Sequence, residues 1–136
     1  MATYGLYKQI EPSSITSSLD SLEKEINATK TDLSALKNGL TDTVWKASAK
    51  DNLFKAFTTI DTEVYKEITT AITNLRSIAK YVSDYKAAES SALTYKGYIN
   101  SATEKTSAST IAGWRSSLSA YEKTMTDCEN SINQLK

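Results

Sequence analysis

The chain has 136 residues, 16 basic and 16 acidic, with no His, one Cys and one Pro. The missing His removes the commonest general base, the usual zinc ligand and every His-containing triad, and the lone Cys excludes an internal disulfide and a Cys-based zinc site. Balanced charge offers no counterion-release surface for nucleic acid, and one Pro with four Gly argues against a turn-rich β-sandwich and for a few long helices.

The length suits one domain. Its surface is polar: hydrophobic residues make up 40%, mean hydropathy is -0.41, and Ser plus Thr supply about a quarter of the chain, well above average usage. No run approaches the ~18 apolar residues of a membrane span, so stable membrane insertion is not expected. The start, MATYGLYKQIEPSS, has neither a basic n-region nor an apolar h-region, which predicts synthesis in the cytoplasm without a Sec signal peptide.

Residues 1–12 carry Tyr4, Leu6, Tyr7 and Ile10 without a clear period and read as an arm. Pro12 suits a first helical turn. From there Ile15, Leu19, Leu22, Ile26, Thr29, Leu33 and Leu36 alternate in steps of four and three, a coiled-coil-type seam that predicts a helix over about 13–38. Leu19, Leu22 and Ile26 are candidates for a partner interface. Asn38-Gly39 reads as the stop, with Gly39 left-handed and Leu40 closing a Schellman motif.

A turn over 39–47 contains Trp45-Lys46-Ala47, and Ser48-Ala49-Lys50-Asp51 has the form of a capping box. A long second helix, about 48–102, follows. One row of its seam is Phe57, Val64, Ala71, Ile78, Tyr85, Ala92 and Ile99; the other is Leu53, Ile60, Ile68, Leu75, Val82 and Glu89, with a one-residue slip between Ile60 and Ile68. Leu75, Ile78 and Val82 join the interface candidates. The phase survives Gly97, which costs a helix only about 1 kcal/mol against Ala. Tyr65, Tyr81, Tyr85, Tyr95 and Tyr98 cover the edges of this seam or, where exposed, form a docking surface.

The segment 103–108 is rich in N-cap residues and reads as a second turn. Ile111, Trp114, Leu118, Tyr121, Met125, Cys128, Ile132 and Leu135 then alternate in steps of three and four and predict a third helix over about 109–135. Cys128 lies on its apolar stripe as a small core residue. The fold class is therefore all-α: an antiparallel helical hairpin, 13–38 with 48–102, plus a C-terminal helix folded back on the second, an elongated bundle. Stripes this narrow leave room for partners.

No Gly-rich phosphate loop, carboxylate-rich metal cluster or nucleophile with a base beside it is present, so neither catalysis nor a cofactor or metal is expected. The Trp at the bend and Tyr85-Lys86-Ala87-Ala88-Glu89 late in the second helix resemble the WXG100 (ESAT-6-like) proteins of type VII secretion. Their hallmarks are Trp-any-Gly in the interhelical turn and a later Tyr-x-x-x-Asp/Glu. Ala47 stands where that hallmark has Gly, and Tyr7 to Glu11 also fits the second pattern. The resemblance covers about residues 15–89, and the extra helix is similar to longer helical partners of LXG toxins. It implies a secreted or cell-surface, non-enzymatic bacterial protein, exported folded as a homodimer or as a heterodimer with another helical hairpin or an LXG-type effector, through a secretion ATPase. Trp45 and Ala47 would shape the turn, and Tyr85 with Glu89 would display the export signal. The alternative is a coiled-coil-like structural module with no secretion role.

Overall fold

The computed structural model describes residues 1–39 and 47–135. Helix α1 is Pro12–Gly39, α2 is Ala47–Thr59, a π-helical turn follows at Ile60–Val64, α3 is Tyr65–Asn100 and α4 is Ala108–Gln134. No strand occurs among the described residues, and the all-α expectation holds. The expected bounds are met within about two residues, the usual uncertainty of helix ends. Gly97 lies inside α3, so that helix is unbroken there. Trp45 and Leu40, with the Schellman contact assigned to Leu40, lie outside the described residues, as does the side chain of Ala47.

Two local expectations are corrected. Gly39 is the last residue of α1 and is not left-handed; the one positive φ among the described residues is Gly5, at 74°. The helix after the bend already includes Ala47, so Ser48 stands inside its first turn and not outside as a cap.

The chain divides into two compact units, 14–76 and 1–13 with 77–136. In the first, α1 runs antiparallel to α2 and the start of α3. Arg76 late in the unit bonds Asp20 and Glu23 near the start of α1, at 2.7 and 2.8 Å, while Lys30 lies 3.7 Å from Asp61 and Lys37 sits 5.4 Å over the Phe54 ring. The buried residues here are Leu19, Tyr65 and Ile72.

The π turn explains the slip in the apolar pattern. The Tyr65 N–H donates to the Ile60 carbonyl, five residues back, so one extra residue fits into the turn. The insertion shifts the inward row of the first unit, whereas Tyr85 and Ala92 of the expected row are buried further along α3 in the second unit. Tyr65 and Ile72 therefore face inward, while Val64 and Ala71, expected on the seam, are exposed. The Thr62 hydroxyl donates to the Thr58 carbonyl at 2.8 Å beside the widened turn.

In the second unit α4 runs antiparallel to the later part of α3. Tyr95 stacks on Tyr121 with centroids 5.8 Å apart, and Tyr98 packs on Trp114 at 5.5 Å. The turn before α4 is closed twice, by the Thr106 N–H on the Thr103 carbonyl at 2.9 Å and the Thr103 N–H on the Thr106 hydroxyl at 3.1 Å. Ser107, extended at ψ 146°, then accepts from the Thr110 N–H and caps α4. The core is Tyr85, Ala88, Ala92, Met125 and Cys128, against which Ala2, Tyr4 and Tyr7 of the arm also pack.

Candidate functional site

The face of α3 and α4 beneath the N-terminal arm concentrates the unusual chemistry of the molecule. Its centre is Tyr85, which is 0% exposed. The Tyr7 ring meets it edge-on. The Tyr85 hydroxyl lies beside the Leu6 backbone without the geometry of a full hydrogen bond. Burial and, next, the nearby Glu89 charge push its pKa up to about 12.

Three carboxylates hold the arm across this ring. Glu89 Oε1 accepts the Gly5 N–H, Glu129 Oε1 accepts the Thr3 N–H at 2.9 Å, and Glu122 Oε1 accepts the Tyr4 hydroxyl at 2.9 Å. Such charge-assisted bonds are stronger than neutral ones. The Lys96 ammonium lies 3.8 Å over the Tyr4 ring and 4.0 Å from Glu122. Burial and the bond to Glu122 raise the Tyr4 pKa to about 12, and burial raises that of Tyr7. At the end of the arm Lys86 Nζ donates to the Ile10 carbonyl at 2.8 Å and to Glu11 at 3.3 Å. Gly5 is required: its left-handed φ of 74° is one that side chains seldom adopt.

Glu89 and Glu129 occupy matching places. Tyr81, Glu89 and Ser91 of α3 recur with the same spacing as Tyr121, Glu129 and Ser131 of α4. Both glutamates take a backbone N–H of the arm, two residues apart. That repetition was the available signal for Glu129. Thr3, Tyr4, Gly5 and Glu122 had none, because an aperiodic arm gives no register.

The expected site residues are thus dispersed. Tyr85 and Glu89 do sit one helical turn apart, but the pair is covered and not displayed: the ring is buried and the carboxylate is bonded to the arm. Of the interface candidates, Leu19 and Val82 are buried, Ile26 and Ile78 are half-buried, and Leu22 and Leu75 are exposed. Among the five tyrosines of the second predicted helix, only Tyr98 is exposed, so they mainly cover the seam.

A second, open groove between α3 and α4 is lined by Tyr81, Asp84, Ala88, Tyr121, Asp127 and Cys128 among others. Its aspartates are paired along their own helices with Lys80 and Lys123. Cys128 is buried, and burial raises its thiol pKa. Among the described residues no group of three His, Cys, Asp or Glu side chains is placed to hold a metal ion, and no helix is long and apolar enough to cross a membrane. Comparison with known family models, curated proteins and solved structures finds no match.

Proposed function

We propose that the chain is a non-enzymatic type VII secretion substrate or targeting partner, WXG100-like, exported folded together with a helical partner. The observation that carries this reading is the half-finished apolar surface of the 14–76 hairpin. Leu22, Leu36, Val64 and Leu75 are 43%, 55%, 46% and 44% exposed, on helices whose apolar residues follow a seam. Two helices cover only part of each other's stripe, and a second hairpin completes such a layer. The partner is then another copy, a different helical hairpin or an LXG-type effector. Trp45 at the bend and the Tyr85–Glu89 pair on α3 support the secretion route through the family resemblance, with a secretion ATPase as the receptor.

Burial of Tyr85 favours a second reading, a helical interaction module that is never exported. The two separate on location. The secretion reading predicts the intact chain, with its N-terminus uncleaved, in the culture medium, and its loss from the medium when the membrane-bound secretion ATPase is deleted. Retention in intact cells under conditions where that system exports other substrates would establish the module reading instead.

A further inference from the structure

We propose that the N-terminal arm is a removable cover, docked over Tyr85 and Glu89 in the resting protein and released to uncover them. As a regulator of export the cover rests on the secretion reading; as a conformational device it rests on the geometry alone.

The arm is built unlike a core element. It has turns at 4–9 but no helix or strand, and its backbone reaches α3 and α4 through the Gly5 and Thr3 N–H groups and the Ile10 carbonyl. It leaves Leu6 48% exposed while it buries the Tyr85 hydroxyl without a full hydrogen bond. Of the two, only the second runs against good packing: a single exposed Leu is ordinary, whereas a buried polar atom is denied water. Release reverses that defect, because water then reaches the phenol. It also gives up the carboxylate bonds of Thr3, Tyr4 and Gly5, the Lys86 bonds to Ile10 and Glu11 and the packing of Tyr4 and Tyr7, which is why the docked state is the resting one.

Release leaves the scaffold intact. Val82 and Ile132 are buried on α3 and α4 outside the cluster on which the arm packs, and the Tyr95–Tyr121 and Tyr98–Trp114 pairs join the two helices directly, so the helix pair keeps these contacts when the arm departs. A terminal segment with no helix or strand of its own opens locally at lower free energy than the helices it lies on. What appears is a tyrosine ring flanked by the Glu89 and Glu129 carboxylates, one from each helix. That surface suits a receptor offering an apolar pocket beside hydrogen-bond donors, the chemistry the arm itself supplies with Tyr7, Gly5 and Thr3.

The test uses the full chain. Gly5→Ala with Tyr7→Ala strains the left-handed turn and removes the ring on Tyr85. Thr3→Pro, made separately, deletes the N–H that Glu129 accepts. Tyrosine nitration, read peptide by peptide, reports access to Tyr85, with exposed Tyr98 as reference. In wild type Tyr85 is protected; in either variant its labelling rises about tenfold, the equivalent of a 1.4 kcal/mol shift toward the open form, with helical circular dichroism unchanged. Labelling that stays at the wild-type level in both variants, or that rises only as helicity falls, overturns the cover.

Export assays on the same proteins separate this from the secretion reading. Faster export of the arm variants supports the regulatory role. If wild type is exported and the arm variants, with Tyr85 accessible, show no gain, the regulatory role is overturned. If labelling rises and nothing is exported, the cover stands and the secretion reading falls.

Discussion

Tyr7 sits edge-on against Tyr85, with ring centroids 4.8 Å apart and planes at 83°. One ring belongs to an aperiodic arm and the other to the middle of α3, so a contact remote in sequence decides what the most chemically distinctive face presents. Edge-to-face pairs of this kind contribute about 0.5–1.5 kcal/mol beyond their burial. The first prediction follows from the inner ring. Tyr85→Phe removes a buried hydroxyl without a full hydrogen bond and should leave stability within about 1 kcal/mol of wild type or raise it. Tyr85→Ala empties a fully buried site and should cost about 3–5 kcal/mol. Urea unfolding of the two variants checks the contrast.

Alkaline titration tests the same packing. Tyr4 and Tyr85 have pKa values raised to about 12, against about 10 in an unfolded chain. The folded state therefore holds these protons more tightly. The stability this contributes is complete below about pH 10 and is lost as pH rises through about 12. Phenolate absorbance should show these two tyrosines ionising late in the folded protein. Unfolding in urea should bring them back to the ordinary range. Coincident ionisation of all tyrosines in the folded protein would contradict the burial described.

Cys128 provides a kinetic check on the α3–α4 seam. The thiol is buried and its pKa is raised, chiefly by burial, and only the thiolate attacks a disulfide reagent. Its reaction should be slow in the native protein and about a hundredfold faster in urea. An equally fast native reaction would mean that the seam opens freely.

The π turn makes a prediction of its own. Deleting Thr62, which is exposed, removes the extra residue, so the rows on either side rejoin in ordinary heptad spacing with the same faces inward. Helicity and melting temperature should hold or rise. An Ala inserted between Ala71 and Ile72 should instead rotate the later rows out of register and lower the melting temperature. Equal loss in both variants would contradict the assignment of the slip to this turn.

How far these features could be read from sequence follows from their period. The seams along α1, α3 and α4 gave the helices and their antiparallel pairing, because apolar steps of three and four leave one solution. Even the π turn left a trace, the eight-residue step from Ile60 to Ile68. Its consequence for the other row leaves no such trace, since Val64 and Ala71 are themselves apolar and continue the unshifted spacing. Gly39 has the residue type of a left-handed stop, yet it ends α1 in helical conformation. The covering of Tyr85 had no local signal. Placing Tyr85 and Glu89 on one helical face was correct, but what lies over that face depends on Tyr7, Gly5 and Thr3, which are distant in sequence and belong to no periodic pattern.

The exposed leucines predict association. Leu22→Asn with Leu75→Asn should reduce self-association or capture of a helical partner in sedimentation, at a cost to the monomer of about 1–3 kcal/mol, because each side chain is partly covered and Asn is a poorer helix former than Leu. Unchanged association would remove the 14–76 hairpin as the partner surface.

The most direct measurement of the central claim is export of Glu89→Gln beside wild type. The amide oxygen of Gln still accepts the Gly5 N–H, as a weaker neutral bond, so the helical fold is kept while the carboxylate charge is lost. Wild-type protein should appear in the medium and the variant should fall to the background of the ATPase deletion, with helicity unchanged. Wild-type export of a normally folded Glu89→Gln protein would contradict the claim.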